Sequence, residues 1–107
     1  MKNKVLTGKE IISILNEKKS ILDSYTVQKI GLFGSFAKDK QNKNSDIDLI
    51  VEFGNPDLDN FMDLVDYLEN LFGRKVEVLT PIGVETIRIK EVAEDIKRSV
   101  LYVWKRR

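Results

Sequence analysis

Gly34-Ser35-Phe36-Ala37-Lys38-Asp39-Lys40-Gln41-Asn42-Lys43-Asn44-Ser45-Asp46-Ile47-Asp48 joins a glycine turn to two carboxylates, and the rest of the chain reads as support for it. To its left, Val27-Gln28-Lys29-Ile30-Gly31-Leu32-Phe33 has strand composition and runs straight into Gly34-Ser35. To its right, Asp46-Ile47-Asp48-Leu49-Ile50-Val51-Glu52-Phe53 alternates charged or polar with apolar, the two-residue period of a strand with one buried face. That period sets Asp46 and Asp48 on the same face, with Cα atoms about 6 to 7 Å apart at the usual strand rise. Residues 37–45 are polar and lysine-rich and predict a surface loop. Solvation of Lys38, Lys40 and Lys43 is the plainer reading there, phosphate contact the sharper one.

A chain of 107 residues predicts one domain, 1–107, that buries roughly two thirds of its unfolded surface. It has no cysteine and no histidine, which removes disulfides, thiolate zinc sites, the Ser-His-Asp triad and most zinc chemistry. Any catalysis must lean on carboxylates. Lys and Arg number 18 against 17 Asp and Glu, so no global positive field recruits nucleic acid. The apolar runs are far short of a membrane span, and Met1-Lys2-Asn3-Lys4 lacks the apolar core of a signal peptide. A soluble cytoplasmic protein is expected.

Thr7-Gly8-Lys9-Glu10 has the spacing of a capping box and predicts an amphipathic helix over 8–22. Gly31, isolated inside a strand pattern, marks a bulge or a close backbone approach. After the turn chemistry of Gly54-Asn55-Pro56-Asp57, Asp57 or Asp59 caps a helix that runs to Phe72. Phe61, Met62, Leu64, Val65, Leu68, Leu71 and Phe72 form its core side. Gly73 stops that helix, 75–80 resumes the strand pattern, and Pro81 and Gly83 close it. A helix is expected over 85–98, with Ile89, Val92, Ala93 and Ile96 inward. Val100-Leu101-Tyr102-Val103-Trp104 reads as a last strand, and Lys105-Arg106-Arg107 as a frayed tail. The class is α/β (α+β): a small mixed β-sheet with helices packed on one face, its core spanning about 26–104.

If the second and third strands are neighbours, with Ile47, Leu49, Val51, Val76 and Val78 under the helices, then Asp46, Asp48 and Glu77 share the opposite face. Three uncovered carboxylates repel one another unless a cation sits among them, and hard oxygen ligands suit magnesium or manganese. Two such ions can clamp the attacking and leaving oxygens of a phosphoryl displacement. Gly34-Ser35, directly after a strand and opening a short helix, offers backbone N–H groups to phosphate. The Gly-Lys-Ser/Thr ending of a Walker A loop is absent. Taken singly, Asp46 with Ser45 could cap a strand entrance and Gly34-Ser35 could be only a turn. Glu52, at the far end of its strand, is read as solvated.

Gly34-Ser35, ten residues, then Asp46-Ile47-Asp48 resembles the signature of the polymerase-β-type nucleotidyltransferase superfamily. Gly31-Leu32-Phe33-Gly34-Ser35-Phe36-Ala37 and Ser45-Asp46-Ile47-Asp48-Leu49 are similar, more narrowly, to the minimal nucleotidyltransferase (MNT) proteins. The resemblance implies a nucleotidyltransferase-like fold in which Asp46 and Asp48 hold two Mg2+ ions and Gly34 and Ser35 hold the phosphates of ATP. Glu77 stands where the third carboxylate is often Asp, and Lys38 where Arg is common. It implies transfer of AMP from ATP to a hydroxyl that Glu77 positions or deprotonates. It also implies a partner: MNT proteins are antitoxins of HEPN-type ribonuclease toxins, which some of them silence by adenylylating a tyrosine. The longer Glu77 keeps a second reading open, a vestigial site on a module that neutralises its partner by binding alone through the Val100-Trp104 edge. A metal-dependent nuclease would use the same carboxylates but leaves Gly34-Ser35 unexplained.

Overall fold

Thr7 and Glu10 close the expected capping box. The Glu10 N–H donates to Thr7 Oγ1 at 3.1 Å, and the Thr7 N–H donates to Glu10 Oε1 at 3.0 Å. The computed structural model describes residues 6–55 and 57–105, so the N-terminal lysines, Pro56 and Arg106-Arg107 lie outside the described residues. Instead of one helix over 8–22 there are two, α1 (Gly8–Glu17) and α2 (Lys19–Ser24). They are separated at Lys18, whose N–H is shared between Ile14 O and Leu15 O.

The remaining elements are β1 (Val27–Phe33), β2 (Ile47–Phe53), α3 (Leu58–Phe72), β3 (Val76–Leu79), α4 (Pro81–Glu85), α5 (Lys90–Ser99) and β4 (Leu101–Lys105). The sheet order is β3-β2-β1-β4, with β1 antiparallel to β2 and β4, and β2 parallel to β3. This is the mixed sheet that the sequence predicts. Lys105, expected in a frayed tail, instead pairs with Lys29 at the end of β4.

The main core lies on one face. Ile30, Leu32, Ile47, Leu49, Val51, Val76 and Val78 are buried with Ile11, Leu15 and Leu22 of α1 and α2 and with Leu64 and Leu68 of α3. Each such side chain contributes about 1.5 to 3 kcal/mol on leaving water. Asp57 caps α3 by accepting from the Asn60 N–H at 2.7 Å, and Gly73 ends it with φ of 66°. Met62, expected in the core, is 55% exposed. At about 100° per residue it lies roughly 160° round α3 from Leu64, outside the apolar stripe.

Ile50 breaks the alternation of β2, and that break builds a second, smaller cluster on the other face. Ile50 and Phe33 are buried there with Val84 of α4 and with Ala93 and Ile96 of α5. Pro81 and Gly83 therefore do not merely close a strand. Thr80 accepts from the Gly83 N–H at 3.1 Å with Pro81 in the first turn, and the helix expected over 85–98 becomes α4 and α5. Ile89 and Val92 are not inward: they are 61% and 45% exposed. Ile89 falls before α5, and Val92 sits on its flank, off the stripe of Ala93 and Ile96. Among the described residues no helix is long and apolar enough to cross a membrane.

Gly31 is the close approach that its isolation in the strand suggests. A Cβ there would stand 2.6 Å from Val100 Cγ1 and 2.9 Å from Tyr102 Cδ1, so β4 seats on β1 only because the side chain is missing. Gly31→Ala is expected to destabilise by about 1 to 3 kcal/mol through overpacking, read as a lower urea midpoint. An unchanged midpoint would mean that β4 does not dock so closely.

Candidate active site

The site begins where β1 runs out. Gly34 follows Phe33 with φ of 77°, a left-handed conformation open to glycine at little cost. The Lys38 N–H bonds Gly34 O and Ser35 O, each at 3.2 Å, and the Lys40 N–H bonds Ser35 O at 2.9 Å. These bonds close one tight turn where a short helix was expected. Among the described residues the N–H groups of Ser35, Phe36 and Ala37 find no acceptor. Phe36 drops into the main core and anchors the turn from below.

Asp48 sits directly against that turn. Phe33 and Asp48 are paired across β1 and β2, and a Cβ on Gly34 would overlap Asp48 Oδ2. Glycine is thus required twice, for its backbone angle and for the space. On the other side Asp48 is in register with Glu77 on parallel β3. Burial pushes the Asp48 carboxyl up from 3.8 to about 6, with the charge of Glu77, a hydrogen bond to Glu77 and the charge of Asp46 pushing the same way. Asp48 is half-buried, while Asp46 and Glu77 are exposed. Gly34, Ser35, Asp48 and Glu77 are therefore brought together, with Asp46 near enough to act on Asp48.

Two side chains that the sequence does not flag hold these elements in place. Arg74 Nη1 donates to Ser45 O at 2.8 Å, and its guanidinium lies 5.4 Å from the Phe36 ring, tying the residue before Asp46 to the turn. Glu69 Oε2 accepts from the Val76 N–H at 3.1 Å and fixes the start of β3 just before Glu77. Neither leaves a local pattern, because each acts across two elements. The Ser45 hydroxyl accepts from the Asn42 N–H at 2.9 Å and closes the loop that leads to Asp46. Lys38 Nζ lies 2.6 Å from Asp95 Oδ2 of α5, so this lysine is already paired. Glu52 is exposed at the far end of β2, as expected.

The carboxylates stand on an open rim. A cleft of about 540 Å³, lined by Val51, Glu52, Phe53, Thr80, Pro81 and Ile82, lies at the other end of β2 and shares no residue with them. Among the described residues no group of three acidic side chains already closes around a cation-sized point. Asp48 and Glu77 are nevertheless adjacent in register, and a carboxyl pushed up to about 6 by burial first and by the negative charge of Glu77 and Asp46 after it is one that a hard divalent cation would relieve. The residues present fit such an ion.

The chain matches the nucleotidyltransferase domain family model over residues 9–103. It belongs to that family. It is 38% identical over 101 residues to a candidate protein adenylyltransferase of Methanocaldococcus jannaschii, covering 91% of this chain and 98% of the relative. It is 35% identical over 101 residues to protein adenylyltransferase MntA of Thermococcus cleftensis, covering 92% and 98%. Solved structures share the fold. A candidate minimal nucleotidyltransferase superposes with a TM-score of 0.70 at 20% identity, covering 92% of this chain and 98% of that one. A chain from a toxin-antitoxin structure with AMP-PNP gives 0.61 at 22% identity, covering 94% and 74%. A chain from the complex of tri-AMPylated Shewanella oneidensis HEPN toxin with MNT antitoxin gives 0.58 at 17%, covering 88% and 72%. The chain is a nucleotidyltransferase, and the match over residues 9–103 spans both the Gly34 turn and Asp48.

The crowding at Asp48 gives a pH-dependent prediction. Its folded pKa of about 6 lies above the ordinary 3.8, so the folded state holds the proton more tightly and stability falls as pH rises between those values. With divalent ions chelated, Asp48→Asn is expected to stabilise the fold at pH 7.5 by about 1 kcal/mol, after discounting for the solvent-exposed half of the group, and by nothing at pH 4. Chemical denaturation at both values checks it. Equal or lower stability of the variant at pH 7.5 would show that burial and the neighbouring carboxylates do not hold the Asp48 carboxyl above its ordinary value.

Proposed function

We propose that this nucleotidyltransferase transfers AMP from ATP to a hydroxyl of a partner protein, a tyrosine of a HEPN-type toxin, and so serves as its antitoxin in the cytoplasm, acting as a single domain. The observation that carries the reading is the position of Asp48, between an N–H-rich glycine turn and Glu77. A phosphate-sized anion and an acceptor oxygen could approach it from opposite sides. The relatives named as protein adenylyltransferases support a protein acceptor, and the solved complex of MNT antitoxin with HEPN toxin supports the kind of partner. An open rim also suits an acceptor that arrives already folded and supplies the missing wall.

Asp46, Asp48 and Glu77 would hold two Mg2+ ions, which when bound would offset charge at the attacking and leaving oxygens. The chain's own groups do the rest. The turn N–H groups and the Ser35 hydroxyl bind the β- and γ-phosphates and hold the pyrophosphate in line as a leaving group. Glu77 orients the acceptor hydroxyl and takes its proton as the oxygen bonds the α-phosphorus and the bond to pyrophosphate breaks. The extra methylene of Glu77, relative to Asp, lengthens its reach from β3 toward that hydroxyl.

The test is incubation of the protein with labelled ATP, Mg2+ and a HEPN-type toxin from the same genome. Label is expected on a toxin tyrosine. Asp46→Asn with Asp48→Asn should abolish it, and Glu77→Gln should slow it about 10² to 10⁴-fold. No label, or label that survives the double variant, removes the enzymatic reading. If the double variant still neutralises the toxin in cells, the protein acts by binding alone.

A further inference from the structure

The carboxylate face carries a cation that the scheme above leaves unused. The Ile47 N–H donates to Lys75 O at 3.0 Å, while Ile47 and Asp48 pair with Val76 and Glu77 in parallel register. The ladder therefore extends one residue before β3. Val76 is buried, and Lys75 and Glu77 on either side of it are exposed, so the two-residue period puts Lys75 on the face of Glu77. The same register puts it beside Asp46. Neighbouring strands lie about 5 Å apart, a gap that the four-carbon stem of lysine can span.

Two other cations around the site are already engaged. Lys38 Nζ is 2.6 Å from Asp95 Oδ2. Arg74 is spent on Ser45 O and the Phe36 ring. The Lys75 ammonium makes no ion pair or hydrogen bond among the described residues. Stability gives little reason to keep it there, since exposed ion pairs are worth about 0 to 1 kcal/mol. The face does give a reason: it already holds three carboxylates, and a nucleotide brings a chain of negatively charged phosphates onto it. An ammonium is a compact, mobile donor suited to one phosphate oxygen.

We propose that Lys75 binds a non-bridging phosphate oxygen of the nucleotide, at the phosphoryl group lying between the Gly34 turn and Glu77. This rests on the reading that ATP occupies this face. It adds a substrate contact from the residue that leads into the edge strand β3, on the side of Asp48 away from the turn.

The experiment is calorimetric titration of the full chain with ATP and with adenosine, in Mg2+ and without acceptor, for wild type, Lys75→Ala and Lys75→Arg. Lys75→Ala is expected to weaken ATP binding about tenfold, the scale of a solvent-exposed charged hydrogen bond. Lys75→Arg should stay within about threefold, adenosine should bind all three alike, and the melting temperature should not move. A variant that only unbalances the carboxylates would change the response to Mg2+ alone. ATP binding by Lys75→Ala equal to wild type overturns the inference, as does an equal loss for adenosine. Wild type that binds ATP but labels no toxin removes the proposed acceptor while leaving the Lys75 contact intact. Wild type that binds no ATP removes both.

Discussion

The pairing of Phe33 with Asp48 is the constraint on which the site depends. It brings the end of one strand beside the start of the next, although fourteen residues of sequence separate them. The turn must leave β1 in a left-handed conformation and pass within van der Waals reach of a carboxylate. Only glycine meets both demands. A carboxylate half-removed from water, with two more nearby, is unstable unless something positive arrives, and the fold keeps it there. The main core supplies the rigidity: Phe36 on one side of the turn and Ile47 and Leu49 flanking Asp48 are all buried in the same cluster.

What lies beyond the carboxylates is open. The cleft at the far end of β2 is more enclosed by apolar side chains but holds none of the site's residues. Under the proposed function, a site whose outer carboxylates are exposed would meet its acceptor by surface docking rather than in a pocket. This accords with a chain that covers nearly the full length of relatives named as protein adenylyltransferases.

Most of this was legible in the sequence where a local pattern carried it. The period of β2 placed Asp48 on the face opposite the main core, Asp57 and Gly73 bounded α3, and Thr7 with Glu10 began α1. The glycine turn and the Asp-x-Asp strand could be read together because their spacing is a matter of chain, not of packing. The losses have specific causes. Ile50 reads as part of a plain alternation and instead belongs to a second cluster on the other face. Met62 and Val92 are apolar, but stand off the stripe of their helices, and Ile89 stands before one. α4 was missed although Thr80-Pro81 is a start signal, because Pro81 and Gly83 also read as a stop. Arg74 and Glu69 act between elements distant in sequence, so no window of residues contains both partners.

β3 is an edge strand of only four residues, paired on one side by β2 and uncovered on the other. An unpaired edge is a template on which another chain can add a strand. Here the exposed side chains at its start are an acid and a base, Glu77 and Lys75, and charge at a short edge is what discourages such addition. The two groups proposed to meet substrate would also discourage the sheet from growing into its neighbours, so solubility and the proposed chemistry would draw on the same two positions.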